Sequence, residues 1–352
     1  MKIGIFSKFN MSGGSERRCI ELCNGITKYT NHHPFLLAEK SIPEALLDNN
    51  ITGFKVRTNV LKHPNHLYDM DNIIIVNTDS KNFSTLDYWN GKSSEHTTEI
   101  DISKLKRVFF LYNFLISPSR NLDKLIDAGM NVGGIITTNQ RFFNEVTKQD
   151  RYENVRILPP YILNSPIYPW ILTPRIRRSK DKLCFGMHSK SLGSKWNTEI
   201  PKLIKQLNDR YGIDGKISFR FMGIKKEVAK QLEKIPNVTC LKENEEKVKD
   251  FLDSLDIFLF FPDYKREEPW ARVIAEAMIS GLPIIASEKG GTPDQVLRYN
   301  NGLLCKKYND YYKNCVYLIE HRDILEKMSM NSMKRSRNFH SENIIRELMR
   351  IL

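Results

Sequence analysis

Residues 267–287, EEPWARVIAEAMISGLPIIAS, set two carboxylates, Glu268 and Glu276, eight positions apart around an apolar run. On a continuous helix, side chains that meet recur at three and four positions, so a simple charged stripe does not explain the spacing. Pro269 supplies the explanation. The residue before a proline is driven away from helical dihedral angles, which places Glu268 on a loop. Pro269 and Trp270 then lead into a helix, with Glu276 one to two turns inside it. Two carboxylates from a loop and a helix can converge on one ligand. The bland alternative is that Glu268 only complements the helix dipole and Glu276 pairs with a surface lysine or arginine.

Working outward, short β-like runs alternate with helical patterns along the whole chain, the mark of parallel α/β architecture. The first half reads as strands at 2–7, 33–39, 72–78, 107–113 and 133–139. A second series follows at 182–189, 216–223, 237–242, 256–262, 283–287 and 302–305. Its helices are expected at 197–211, 225–234, 244–254, 271–280 and 308–320. Between the two series lies 159–180, PPYILNSPIYPWILTPRIRRSK, whose five prolines leave little room for regular structure and mark a linker. The expected organisation is an N-terminal Rossmann-like domain over 1–165, the linker 159–180, and a second Rossmann-like domain over 181–337, the two facing each other across a cleft. In such sheets ligands bind at the carboxyl ends of strands.

The 352 residues, 41% hydrophobic and 27% charged, have the composition of an ordinary soluble protein long enough for two cores. Six scattered cysteines without a CxxC pair argue against a zinc site or a disulfide framework and favour a reducing compartment. The first strand begins at once, with no apolar leader, and runs such as 108–116 are too short to span a bilayer. A cytoplasmic protein is expected. The net charge of +13 concentrates at 173–182 and 333–338. It is read as solvated basic surface, as attraction for an anionic donor or acceptor, or as peripheral contact with an anionic membrane surface. Nucleic acid is disfavoured, because no aromatic RNA signature, zinc finger or helix-turn-helix accompanies the basic runs.

A helix N-terminus suits phosphate and carboxylates suit sugar hydroxyls, so 267–287 fits a nucleotide-sugar. The full string EEPWARVIAEAMISGLPIIASEKGGTPDQVLRYNNGLLC, 267–305, resembles the C-terminal signature of retaining GT-B glycosyltransferases, glycosyltransferase family 4 above all. Ala271 stands where that pattern usually has Gly, and Asp294 where it has Glu. The resemblance implies the GT-B fold and a hexosyltransferase that moves a sugar from a UDP- or GDP-sugar to a hydroxyl of a glycan, lipid or other acceptor, with retention of configuration. By it, Glu276 accepts from the ribose hydroxyls and Glu268 from the transferred sugar. The N–H groups near Trp270, Ala271 and Arg272 meet the sugar or diphosphate. The family's G-R-H-S-R…K-W segment is similar to CFGMHSKSLGSKWN, which carries its basic phosphate clamp to Lys190 and Lys195 and leaves His188 near the site.

Departing diphosphate needs cations; with no DxD motif, lysine and arginine are expected to supply them, with no metal and no cofactor beyond the nucleotide-sugar. SGGSERR, 12–18, resembles the family's G-G-x-E-R loop, placing Gly13 and Gly14 near the diphosphate. The same resemblance implies that backbone around Leu241 and Lys242 borders the base, uracil or guanine. The N-domain histidine of many relatives is missing from 76–82 and 110–118, where Asn77, Thr78, Asp79, Tyr112 and Asn113 are the candidate acceptor-side replacements. The last stretch, 338–352, resembles the final helix that crosses back onto the N-domain. Two other readings stay open: a GT-B sugar-nucleotide epimerase, and a catalytically silent sugar- or nucleic-acid-binding protein on the same fold.

Overall fold

The computed structural model describes residues 1–7, 9, 14–39, 41–42, 53–76, 100–112, 125–127, 129–148, 155–158, 172–177 and 181–352. Two compact units divide the chain: Met1–Ile167 with Phe339–Leu352, and Tyr168–Asn338.

In the first unit seven parallel strands, β1 (Lys2–Ser7), β2 (His33–Ala38), β3 (Lys55–Arg57), β4 (Asn72–Val76), β5 (Val108–Tyr112), β6 (Val132–Thr137) and β7 (Ile157–Leu158), lie in the order β3-β2-β1-β4-β5-β6-β7. Strands covered on both faces read as continuous apolar runs; NIIIV of β4 is buried at every position. Helices α1 (Gly14–Tyr29), α2 (Asn65–Tyr68) and α3 (Gln140–Thr147) flank this sheet's strands in sequence.

The second unit carries six parallel strands: β8 (Leu183–His188), β9 (Ile217–Met222), β10 (Val238–Leu241), β11 (Ile257–Phe260), β12 (Ile284–Ser287) and β13 (Gly302–Cys305). Their order is β10-β9-β8-β11-β12-β13, which within the unit is 3-2-1-4-5-6, the doubly wound Rossmann order. Strand order reverses between β8 and β11, and this is where such sheets open for a ligand. Its helices are α4 (Ile200–Tyr211), α5 (Lys226–Leu232), α6 (Val248–Asp253), α7 (Arg272–Ile279), α8 (Thr292–Gln295), α9 (Tyr308–Glu320) and α10 (Ile324–Ser336). The expected strands and helices of this half all appear, 302–305 and 308–320 with the expected bounds and the others shortened by a few residues at their ends; α8, α10 and, in the first unit, β3, β7 and α2 were not anticipated.

The chain then returns to the first unit as α11 (Ser341–Ile351). Its Ile344, Ile345, Leu348 and Ile351 join a core with Cys19, Ile20, Cys23 and Ile26 of α1. Gly25 allows the close approach, because a Cβ there would stand 2.7 Å from Ile345. Of the expected linker 159–180, only 172–177 lies within the described residues.

Candidate functional site

The site grows from the switch point between β8 and β11. After β8 the chain forms a short 3-10 turn, Gly193–Lys195. Buried Asn197 ties this turn to the loop that follows β11: its N–H donates to the Phe261 carbonyl at 3.1 Å and its Nδ2 to the Pro262 carbonyl at 3.0 Å. The Asp263 N–H donates back to the Ser194 carbonyl at 3.2 Å. The two loops are thereby held side by side, and side chains more than sixty positions apart in sequence meet.

Glu268 is the meeting point. Its Oε1 accepts from Lys195 Nζ and, at 2.5 Å, from Arg266 Nε. Arg266 is in turn fixed by its Nη1–H bond to Ser194 Oγ, 2.7 Å. Burial works to raise the Glu268 carboxyl, but the two cations outweigh it and hold the group below the ordinary carboxylate range. Burial likewise draws the Lys195 ammonium down, with Glu268 opposing it. One carboxylate facing two cations leaves a surplus of positive charge, although Lys195 and Arg266 are only about a quarter exposed, at 22% and 26%.

The backbone of Glu268 is set by the glycine pair downstream. The Gly291 N–H donates to the Glu268 carbonyl at 2.8 Å. Gly290 has φ +60°, and a Cβ there would run into the same carbonyl, so both conformation and space call for glycine.

Glu276 lies on α7 with one oxygen bonded inside the protein and the other facing a histidine. Oε1 accepts from Arg272 Nε at 2.7 Å, one turn earlier, and Oε2 faces His188 Nε2 at 3.5 Å. His188 is the last residue of β8, buried, and burial pushes its imidazole below the ordinary histidine range against the pull of Glu276. Glu268 and Glu276 are each 8% exposed. Glu276 therefore pairs with an arginine, as the bland alternative held, but its carboxylate is buried, Arg272 is partly buried, and the pair ends at the switch point.

The start of α7 is clamped from the side. Gln295, fully buried, accepts from the Ala271 N–H at 3.1 Å and donates to the Ala271 carbonyl at 2.9 Å. The Ala271 N–H, expected to face a ligand, is thus occupied within the protein. Trp270 is buried beside it. Asn301 Nδ2 and Arg335 Nε both donate to the Gln295 carbonyl, at 3.2 and 2.8 Å, which locks the clamp in place.

The remaining expected residues fall as follows. Lys190 is exposed, and it is Arg266, not Lys190, that joins Lys195 on Glu268; the Lys190 carbonyl accepts from Trp196 Nε1 at 3.0 Å. Leu241 ends β10 with its carbonyl taken by the Gly223 N–H, 3.0 Å, and the Lys242 N–H donates to Glu245 Oε2 at 2.6 Å. Gly14 opens α1, and Tyr112 ends β5. Gly13, Asn77, Thr78, Asp79 and Asn113 lie outside the described residues. Arg266 and Gln295 were not foreseen. No signal in the sequence marks Arg266, which sits in the charged run KREE, while Gln295 follows the recognisable GG-x-x turn.

Residues 193–335 match the family described as Glycosyl transferases group 1. The segment that holds Lys195, Glu268 and Glu276 is thus a glycosyltransferase group 1 domain. A stretch of 68 residues is 31% identical to trehalose synthase of Thermococcus litoralis; it makes up 19% of this chain and 16% of that protein, so the chain spans only that small share of the curated relatives it matches. Among solved structures, Anabaena HepE in complex with UDP-glucose superposes with a TM-score of 0.71 at 15% identity, over 100% of both chains. A glycosyltransferase from Rickettsia africae gives 0.73 at 12% identity, covering 99% of this chain and 97% of its own. Likeness at these identities speaks for the fold, and the fold is GT-B.

Proposed function

We propose that the chain is a retaining, metal-independent glycosyltransferase of the family 4 kind, transferring a sugar from a UDP- or GDP-sugar to a hydroxyl of a glycan, lipid or other acceptor. The observation that carries this reading is the convergence of Lys195, Arg266 and Glu268 at the switch point of the second unit, with buried Glu276 beside it on α7. HepE, which shares the fold, is solved with UDP-glucose.

In this reading Glu276 accepts from the ribose hydroxyls and Glu268 from hydroxyls of the transferred sugar. Lys195 and Arg266 share one Glu268 oxygen, and their surplus charge meets the diphosphate as negative charge grows on the leaving oxygen. Because both cations are anchored before the ligand arrives, little reorganisation is needed at the moment of transfer. A leaving phosphate oxygen on the same face as the acceptor hydroxyl takes its proton, which gives retention without a carboxylate nucleophile. The acceptor belongs to the first unit. The six free cysteines accord with a cytoplasmic setting, and among the described residues no helix is long and apolar enough to cross a membrane.

The test is transfer from a panel of labelled UDP- and GDP-sugars, with and without EDTA, with the anomeric configuration of the product read by NMR. Transfer that survives EDTA, keeps the donor's configuration and drops at least tenfold in Glu276→Ala supports the reading, since one hydrogen bond to a charged group is worth about that factor. Complete loss in EDTA, or an unaffected Glu276→Ala enzyme, overturns it.

A further inference from the structure

His188 has no part in the reading above, yet it sits against its central residue. The ring is met edge-on by Phe251 of α6 and Phe258 of β11, with centroids 5.9 and 5.8 Å away. Its Nε2 is buried with no hydrogen-bond partner and lies 3.5 Å from Glu276 Oε2. A histidine that only fills a core is normally closed by a hydrogen bond. Here the opposite Glu276 oxygen is fastened to Arg272, so the carboxylate is pinned at one end and approached at the other.

We propose that His188 is a positioning residue: the neutral imidazole backs Glu276 Oε2 so that the carboxylate presents a fixed edge to the ribose diol of a nucleotide, and proton uptake by His188 turns the same contact into an ion pair that competes with the ribose. The proposal rests on the reading of Glu276 as the ribose acceptor. A neutral imidazole occupies at most one lone-pair site of Oε2 and leaves the others to the 2′ and 3′ hydroxyls. An imidazolium would make a shorter, charge-assisted bond and draw Oε2 inward. The charges that act on the ring are Glu276 and Arg272, both on α7. From α6 and β11 it meets the two phenyl rings, and Arg220, which lies over Phe251, is paired with Glu246. Burial favours the neutral form, so the switch falls on the acid side of the ordinary histidine value of 6.5.

The experiment is calorimetric titration of the full chain with UDP, GDP and their 2′,3′-dideoxy counterparts, at about pH 8 and about pH 5. The readout is the ratio of dideoxy to ribo Kd, in which titration of the phosphate cancels. The wild-type ratio is expected to be at least about ten at the higher pH, since both hydroxyls that face the carboxylate are removed and one such bond alone is worth that factor, and to shrink at the lower. His188→Leu should bring the ratio towards one at both. His188→Gln, a neutral donor that cannot titrate, should keep the ratio and lose its pH dependence. A wild-type ratio of that size that His188→Leu leaves untouched overturns the proposal and spares the ribose reading. So does a His188→Gln protein that keeps the wild-type pH dependence, and this arm decides the matter if the leucine variant does not fold. A wild-type ratio of one at both pH values, or no binding of either nucleotide, removes the role of Glu276 and the proposal with it.

Discussion

Glu268 shows how much a single residue's neighbours decide. Its place on a loop was readable from Pro269, because a proline constrains the residue before it. Its partners were not. Arg266 lies within Lys265-Arg266-Glu267-Glu268, a run that reads as solvated charge until the loop is seen folded back onto Ser194. Lys195 was readable as a cation near phosphate, but not as the partner of Glu268, seventy-three positions away. The pairing has a consequence for stability. Glu268 is held below its ordinary pKa, so the unfolded chain binds its proton more readily than the folded one. The associated stability is complete above the unfolded value and is lost as pH falls through the folded one. Glu268→Gln abolishes this contribution and leaves Lys195 and Arg266 without their anion, at a cost of about 2 kcal/mol near neutrality. Urea midpoints measured across pH should therefore separate wild type from variant near neutrality and converge only on the acid side of the ordinary glutamate value of about 4.3. A constant gap over the whole range would show that Glu268 is not the titrating partner.

Helix α7 carries Glu276, and its two ends differ in how far sequence reasoning reached. The C-terminal end is a Schellman motif: the Leu282 N–H donates to the Ala277 carbonyl at 2.9 Å and the Gly281 N–H to the Met278 carbonyl at 3.0 Å. Such a stop is readable from glycine followed closely by proline, as in Ser280-Gly281-Leu282-Pro283. The N-terminal end is clamped by Gln295, a contact made by a side chain from beyond β12, and no local pattern announces it. Helix α10 escaped notice for another reason. Its buried face uses Ser329, Ser332 and Ser336, which interrupt the apolar period that betrays a helix. Two of those serines are explained only by tertiary structure: Ser329 Oγ donates to the Gly281 carbonyl at 2.6 Å and Ser332 Oγ to the Leu282 carbonyl at 2.8 Å, closing the end of α7 from outside. Gly281 is thus held by backbone conformation, φ +78°, and by space, since a Cβ would strike the Arg175 carbonyl. Gly215 offers the control: φ +67° with nothing within 4 Å of a Cβ. Gly215→Ala should cost about 1 kcal/mol from conformation alone, and Gly281→Ala about 3 kcal/mol once backbone must also shift. Denaturant unfolding of the two variants checks this, and equal losses would remove the steric half of the argument.

For the whole molecule, the alternation of strand and helix made two parallel α/β halves readable, and the strand order of each was not, because pairing between distant segments leaves no mark in either one. The return of α11 could be expected only by resemblance; its physical basis is the strip Ile344, Ile345, Leu348 and Ile351 packed on α1. The division into units sharpens what a distant mutation should do. Leu348 is fully buried in the first unit, and Leu348→Asp places a carboxyl in that core at a cost of about 4 kcal/mol. Apart from the Gly13-Gly14 loop expected near the diphosphate, the residues here assigned to the nucleotide, from His188 to Glu276, belong to Tyr168–Asn338, whose sheet is its own. Leu348→Asp should therefore lower the first melting transition and depress sugar transfer, whose acceptor side is assigned to the first unit, while UDP binds with a Kd within about twofold of wild type, less than the effect of one lost hydrogen bond. Calorimetry on the variant at a temperature below its transition makes the comparison. A nucleotide Kd that rises in step with the loss of stability would mean that the nucleotide site draws on the first unit as well, and that Glu268 and Glu276 hold only part of the donor.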